Sequence, residues 1–211
     1  MKKTAKQCTN EYEHEAWADD QYLLGIDEEG RGPLAGPLTV AGVIFPIGYE
    51  NPDIYDSKAL SEKKREALFD IIKEDALWFE IRIVSEKEID TFDIYHADQM
   101  AMAAIVENAP EAVVVTDCMP LEIPDRVIYS PAKGDQKSLS VAAGSILAKV
   151  TRDRIMKEYD LVYPEYGFAH NKGYGTKQHM EAIQKYGITP IHRKSFAPVR
   201  AQQQSLDLFE D

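Results

Sequence analysis

The N-terminal part of the chain contains two short apolar runs of β type separated by turn residues, and this pairing most restricts the fold. The first run spans residues 22–26 and is followed by three acids, and the second is PLTVAGVIF at residues 37–45. Short apolar runs rich in β-branched residues favour strands over helices. Gly30-Arg31-Gly32-Pro33 between them is typical of a turn. The sequence therefore predicts a hairpin-like pair of strands.

Further strands alternate with helices along the rest of the chain. Strand patterns occur at residues 78–84, in a valine-rich run that ends at Asp117, and in DRVIYS at residues 125–130. Helical periodicity covers residues 61–77 with Ser61 as N-cap, about 95–108, a long stretch from Ser138, and residues near 178–186. This order indicates an α/β fold, in which a mixed sheet carries helices on its faces.

The charge of the chain is unevenly distributed. The net charge is −12 and the pI is near 4.9, which alone argues against a nucleic-acid partner. Residues 126–200, however, carry 13 Lys/Arg and 6 Asp/Glu, a net charge of +7, and the remaining sequence has −19. This asymmetry indicates a surface that faces a polyanion, with an ordinary solvated face as the alternative.

Composition excludes several protein classes. At 211 residues and 23.8 kDa the chain fits one domain. No run approaches the roughly 18 apolar residues of a membrane span, and the first twenty residues lack the apolar core of a signal peptide. Cys8 and Cys118 are too few for a disulfide framework or a thiolate zinc site. We expect a cytoplasmic protein with no membrane partner.

Four acids occupy positions where strands end. Asp27 and Glu28 follow the first strand, Asp117 ends the valine-rich strand, and Asp135 precedes the long helix. Strand ends meet at one edge of an α/β sheet, and gathered carboxylates suit Mg²⁺ or Mn²⁺. Solvated strand-end acids are the alternative. The spacing alone does not decide which acids converge, because the chain also contains Asp56, Asp93, Asp98 and Asp153.

Five fragments taken together carry a family resemblance. They are GIDEEGRGPLAGPLTVAGVI, DSKALSEKKREAL, KGDQKSLSVAAGSILAKVTRDRIM, YPEYGFAHNKGYGTKQHMEAI and GITPIHRKSFAPVR. In this order they resemble ribonuclease HII, the type 2 ribonuclease H family, from about residue 23 to residue 200. The resemblance implies a ribonuclease-H-like mixed sheet flanked by helices, with a small C-terminal helical region. We expect this catalytic domain over residues 20–200, with the helical part from about 163.

The resemblance also implies an activity and a metal site. The activity is endonucleolytic cleavage of the RNA strand of RNA–DNA hybrids, and cleavage 5′ of single ribonucleotides embedded in duplex DNA. The expected products have 3′-hydroxyl and 5′-phosphate ends. By the family motifs, Asp27, Glu28, Asp117 and Asp135 are the catalytic ligands of two Mg²⁺ or Mn²⁺ ions.

Substrate-binding residues follow from the same resemblance. Gly30, Arg31 and Gly32 resemble the loop that senses the ribose 2′-hydroxyl, and glycine lets a backbone approach a sugar closely. Tyr174 resembles the tyrosine that stacks on the sugar of the next deoxynucleotide. The candidates for phosphate contacts are Lys58, Lys133, Lys172, Arg193 and Lys194.

The sequence departs from the family pattern in several places. Cys118 and Met119 stand where the family usually has a glycine and a polar residue. Gly144 lies inside the long helix where the family favours alanine, at a cost of about 1 kcal/mol. The histidines, among them His179 and His192, are open between proton-shuttle and structural or surface roles.

The sequence also gives expectations for the C-terminal residues, the oligomeric state and the alternative functions. Residues 201–211 are expected to form a flexible tail, in which Gln203, Leu206 and Phe209 have the spacing of peptides that dock on DNA sliding clamps. A monomer is expected. A structure-selective DNA nuclease on the same fold, or a non-catalytic hybrid- or clamp-binding module, is the alternative function.

Overall fold

A five-stranded mixed sheet forms the centre of the architecture. The computed structural model describes residues 8–207, without the side chains of residues 204–207. In that range the strand order is β3-β2-β1-β4-β5, and the bounds are β1 Leu23–Glu29, β2 Leu38–Ile44, β3 Trp78–Val84, β4 Val113–Thr116 and β5 Ile128–Tyr129. β2 is antiparallel to β1, β4 is parallel to β1, and β5 is parallel to β4. The predicted strands and the hairpin-like pair are confirmed.

The helices begin largely where the sequence predicts them. Their bounds are α1 Glu11–Ala18, α2 Glu62–Asp75, α3 Glu86–Phe92, α4 Ile94–Asn108, α5 Gly134–Lys137, α6 Leu139–Val162, α7 Phe168–Asn171, α8 Lys177–Tyr186 and α9 Ala197–Asp207. Ser61 caps α2 by accepting the Lys64 N–H at 3.3 Å, as predicted. None of these helices combines the length and apolarity that crossing a bilayer requires.

The sequence patterns missed five of these helices. α5 and α7 have four residues each, too few to show helical periodicity. α1 and α3 are short and rich in charged residues, so they lack a clear apolar stripe. The tail expected to be flexible from residue 201 continues α9 as helix to Asp207. Residues 208–211, and with them Phe209 of the clamp-docking prediction, lie outside the described range.

The chain divides into two compact units, each with its own core. The first comprises the described residues up to 29, residues 39–82 and residues 98–150, and the second comprises residues 30–38, 83–97 and those from 151 onward. The second unit therefore includes more than the C-terminal part expected from about 163. In the first unit β2, α2 and the start of α6 share a buried apolar cluster that includes Ala41, Val43, Leu68, Ile72, Ala142, Ile146 and Leu147.

The second unit has a smaller core, rich in aromatic rings. Its buried members include Leu34, Ala35, Met156, Tyr166, Phe168, Ile183, Ile191 and Val199. Tyr166 and Phe168 stack with ring centroids 5.4 Å apart. An isolated antiparallel bridge between Ala35 and His192 joins the loop after β1 to the C-terminal residues of this unit.

Glycines let α6 approach the sheet closely. A Cβ on Gly25 of β1 would overlap the backbone of Ser140 and Val141. A Cβ on Gly144 would lie 2.7 Å from the Ala41 carbonyl oxygen, closer than real Cβ atoms come. Gly144 is thus not merely a weak helix former, as the sequence alone suggests, because the contact between helix and sheet excludes any side chain there.

Candidate active site

The parallel pairing of β1 and β4 brings two of the predicted acids side by side. Ile26 is in register with Thr116, and the Asp117 N–H donates to the Ile26 carbonyl at 3.2 Å. Asp27 and Asp117 therefore leave neighbouring strands at the same edge of the sheet. Asp27 is only 6% exposed, and its Oδ1 accepts the Glu28 N–H at 2.8 Å.

Asp135 reaches this edge through the turn before α5. The Asp117 Oδ1 accepts the backbone N–H of Gly134 at 2.8 Å, which ties this turn to the end of β4. Lys133 just before it has a left-handed backbone, with φ of 60°. A Cβ on Gly134 would lie 3.1 Å from the Thr116 carbonyl oxygen, so the turn packs directly on the strand. Asp135 follows this anchored glycine.

The acids act on one another electrostatically. Burial, and then the charges of Glu28 and Asp117, hold the pKa of the Asp27 carboxyl well above its usual range. A hydrogen bond from the Ser145 hydroxyl acts in the opposite direction. Burial, followed by the charge of Asp117, likewise raises the pKa of Asp135. Each of the four predicted acids thus interacts electrostatically with at least one of the others, and all four lie in the first unit.

Lys58 and Asp56 belong to the same electrostatic neighbourhood. Burial acts to lower the pKa of the Lys58 ammonium, but Asp27, Asp135 and other nearby carboxylates raise it overall. Asp56 caps the turn that carries Lys58, since its Oδ1 accepts the Lys58 N–H at 2.9 Å. Asp56, one of the acids that the sequence left open, also raises the pKa of Asp135.

The donor chemistry of this cluster fits a divalent cation. Among residues 8–207 no group of three or more His, Cys, Asp or Glu side chains is already arranged so that it could hold a metal ion. Burial, and then repulsion between the carboxylates, nevertheless raise the pKa of Asp27 and of Asp135. A divalent cation removes that repulsion, and carboxylate oxygens are the donors that Mg²⁺ and Mn²⁺ prefer.

Supporting side chains that the sequence analysis missed hold the segments carrying the acids. Ser145 of α6 lies 2.9 Å from the Ser57 hydroxyl. The Cys8 thiol donates to the Asp135 carbonyl at 3.1 Å, and burial raises the pKa of this thiol to about 12, which keeps it a donor. Buried Glu13 accepts the Ser138 hydroxyl at 2.6 Å. A lone acid in an unpredicted helix gives no sequence signal for this role.

The Gly-Arg-Gly loop lies in the second unit, where a buried arginine holds it. Arg193 is fully buried and donates to the carbonyl oxygens of Gly30 at 2.6 Å, Arg31 at 3.1 Å and Gly36 at 2.9 Å. This corrects the expectation that Arg193 contacts phosphate, because its guanidinium is already engaged with the loop. Arg193 is a residue that positions the loop.

A second buried arginine, Arg152, packs against the same loop. It donates to the carbonyl oxygens of Pro37 at 2.8 Å, Ala35 at 3.1 Å and Lys172 at 2.9 Å. A Cβ on Gly30, whose φ is +106°, would overlap the Arg152 side chain. Backbone conformation and packing therefore require glycine at position 30, whether or not a sugar approaches it.

The remaining predicted substrate-binding residues of both units have different degrees of exposure. Tyr174 is 42% exposed, and its Cε1 would lie 3.4 Å from a Cβ on Gly32 of the loop. Lys58, Lys133 and Lys194 are exposed, while Lys172 is half-buried. Gln203 is half-buried on α9, and the side chain of Leu206 is not described.

The sheet order, the flanking helices and the strand-end carboxylates define a nuclease of the ribonuclease-H-like class. The fold is similar to that of ribonuclease H2 from Pyrococcus horikoshii OT3, with a TM-score of 0.76 at 24% identity, over 88% of this chain and 99% of that chain. It is also similar to RNase HII in the PCNA:RNase HII complex from Archaeoglobus fulgidus, with a TM-score of 0.69 at 28% identity, over 82% and 93% of the two chains.

Sequence comparison specifies the family. The family model described as Ribonuclease HII matches residues 24–199. The Ribonuclease HII of Lactobacillus johnsonii is 52% identical over 194 residues, which are 89% of this chain and 76% of that protein. The chain belongs to the ribonuclease HII family and is a ribonuclease H enzyme, so the predicted family and fold class are confirmed.

Proposed function

We propose that this ribonuclease H cleaves the RNA strand of RNA–DNA hybrids and also cuts on the 5′ side of single ribonucleotides embedded in duplex DNA. The products carry 3′-hydroxyl and 5′-phosphate ends. The observation that supports this best is the set of mutually repelling carboxylates at the ends of β1 and β4, in a chain of this family.

In this proposal Asp27, Glu28, Asp117 and Asp135 hold two Mg²⁺ or Mn²⁺ ions. Such ions, when bound, activate a water molecule and stabilise the leaving oxygen of a phosphodiester. The chain supplies the oxygen donors and fixes two of their backbones through the β1–β4 register and the Gly134 N–H. The hydrogen bond from Ser145 acts to lower the pKa of Asp27 and so favours its ionised form.

Substrate recognition is assigned to the Gly30–Gly32 loop, to Tyr174 and to four lysines. The backbone of Gly30, Arg31 and Gly32 contacts the ribose 2′-hydroxyl, which both donates and accepts hydrogen bonds. The exposed Tyr174 ring beside this loop stacks on the following sugar. Lys58, Lys133, Lys172 and Lys194 contact phosphates, and this gives binding a strong dependence on salt.

The deciding experiment compares a duplex containing one ribonucleotide with an all-DNA duplex. We expect cutting of the first alone, with Mg²⁺ or Mn²⁺, and none with EDTA. Asp27→Asn should bind substrate but lose more than about 100-fold in rate. Asp20→Asn, an exposed acid with φ of 58°, is the matched control and should cut normally.

The other outcomes identify the alternatives. Equal cutting of both duplexes would establish a DNA nuclease on this fold. Binding of the ribonucleotide-containing duplex without cleavage would establish a non-catalytic hybrid-binding module.

We also propose that the C-terminal residues dock on a DNA sliding clamp through Gln203, Leu206 and Phe209. A relative with the same fold has been solved as a PCNA:RNase HII complex. The double variant Leu206→Ala, Phe209→Ala should lose clamp binding in a pull-down while keeping activity on free substrate. Retained pull-down would contradict the docking.

A further inference from the structure

Two buried histidines in the second unit form a hydrogen-bonded pair that the proposed function above does not use. His179 lies on α8 and His192 follows Ile191, and they are 0% and 1% exposed. Their Nε2 atoms are 3.1 Å apart. The rings of Tyr166 and Phe168 surround the pair, with centroids 5.3 Å from His192 and 5.3 Å from His179 respectively.

The partners of the two rings fix the position of every imidazole proton. The Nδ1 of His192 accepts the Thr189 N–H at 2.9 Å, so its proton must be on Nε2. That Nε2–H donates to the Nε2 of His179, which therefore has no proton. The His179 proton is consequently on Nδ1, and it donates to the Tyr174 carbonyl at 2.9 Å.

We propose that this directed chain from Thr189 through His192 and His179 positions Tyr174 for recognition of the RNA–DNA junction. The proposal rests on the proposed function of Tyr174 as a substrate contact. His179 and His192 are positioning residues in it, because they reach the substrate only through the Tyr174 backbone.

The need for such an anchor follows from the local sequence. Tyr174 stands between Gly173 and Gly175, and glycines leave a backbone with the greatest conformational freedom. The Tyr174 carbonyl also accepts the Thr176 N–H at 2.7 Å, a bond within the same turn. The Leu34 N–H holds the neighbouring Gly173 carbonyl at 2.8 Å, and the bond from His179 ties the Tyr174 carbonyl itself to a buried side chain.

The pair works only while both rings are neutral. A proton added to either ring would place two donors face to face, at Thr189 or between the rings. Burial lowers the pKa of both histidines, that of His192 to about 4. The charged residues lining the cavity beside His192 are Lys87, Asp90 and Lys194.

The first test is the ¹⁵N NMR spectrum of the histidine side chains in the wild-type protein at pH 7. We expect a proton on Nδ1 alone in His179 and on Nε2 alone in His192. A reversed tautomer in either ring, or a doubly protonated ring, would overturn the proposal. This measurement does not depend on the proposed activity.

The second test separates positioning from stability. In His179→Asn the amide nitrogen stands near the Nδ1 position and can still donate to Tyr174, whereas His179→Leu cannot. We expect kcat/KM for a duplex with one ribonucleotide to fall about tenfold in His179→Leu and about twofold in His179→Asn. His170→Leu, at an exposed histidine, is the control and should match the wild type.

The coupling between the residues completes the test. Tyr174→Ala should lower kcat/KM on this substrate, and adding His179→Leu should reduce it no further. Additive losses, or no effect of Tyr174→Ala, would overturn the positioning role. A wild-type protein that cuts no ribonucleotide duplex would instead overturn the proposed function, and the NMR result would still stand.

Discussion

Arg193 donates from Nη2 to the carbonyl oxygen of Gly30 at 2.6 Å, across 163 positions of sequence. The same guanidinium binds two more carbonyls of the loop, so one buried side chain holds the backbone proposed to read the ribose. Burial, and then the charge of Arg152, lower the pKa of Arg193, and Glu86 acts to raise it. The loop therefore gets its shape from buried cations that the acidic composition of the chain does not suggest.

Arg193→Lys should loosen this loop. A lysine ammonium cannot span three carbonyls in the plane of a guanidinium, so buried acceptors lose their donors. We expect the free energy of unfolding to fall by about 3 kcal/mol in urea denaturation. Arg200→Lys, at an exposed position on α9, should change it by less than about 0.5 kcal/mol. Equal stability of the two variants would contradict the assigned role.

Two glycines of the loop should respond differently to alanine. Gly30→Ala places a Cβ into Arg152 at φ of +106°, and should destabilise by more than about 2 kcal/mol. At Gly32 the nearest atom to a Cβ is 3.4 Å away, so Gly32→Ala should stay within about 1 kcal/mol of the wild type. Thermal unfolding of both variants checks this. If Gly32 contacts the sugar as proposed, Gly32→Ala still loses ribonucleotide cleavage.

Gly144→Ala should destabilise the protein although alanine favours helices. The gain in helix propensity is about 1 kcal/mol. The new Cβ, 2.7 Å from the Ala41 carbonyl, forces α6 away from the sheet at a cost of about 1–3 kcal/mol. We expect a lower midpoint in urea, and a raised midpoint would show that the helix moves freely.

Cys118 occupies a backbone conformation that suits glycine. Its φ is 55°, in the left-handed region, where a side chain costs about 1 kcal/mol. This backbone conformation suits the glycine that the family resemblance implies at this position. Cys118→Gly should therefore raise stability by about 1 kcal/mol, whereas Cys118→Ala, which keeps a Cβ, should not. Calorimetry of the two variants tests the difference, and an equal gain in both would point to the thiol instead.

The buried histidine pair should make stability fall at acidic pH. The pKa of His192 is lowered from 6.5 to about 4 by burial and by the charge of His179. Because its folded pKa is depressed, its contribution is fully present above pH 6.5 and is lost as pH falls towards 4. His192→Gln does not titrate, so the free energy of unfolding of the wild type should fall about 3 kcal/mol further than that of the variant across this range.

A matched fall in both proteins would show that His192 does not set the dependence of stability on acidic pH. His170→Gln replaces an exposed histidine and is the control. The free energy of unfolding of this variant should depend on pH as that of the wild type does.

Local pattern was sufficient for much of the fold. Alternation and apolar runs predicted all five strands found among residues 8–207, since side chains on one face of a strand repeat every second position. Ser61 was predicted as a cap because a cap needs only neighbours within one turn. α1 and α3 were not predicted because short, charged helices gain their stability from tertiary packing, and the local sequence then shows no clear apolar periodicity.

The amino-acid sequence alone determined the family. It also determined which strand or helix each of the acids Asp27, Glu28, Asp117 and Asp135 adjoins, and hence the positions from which they are proposed to act. Those features reside in residue identity and local spacing. Only the tertiary structure decided that Asp27 is buried beside Asp117, that Arg193 and Arg152 hold the loop, and that His179 anchors Tyr174. Each of these depends on contacts between segments that are distant in sequence, and their strength is set by burial, which no local pattern encodes.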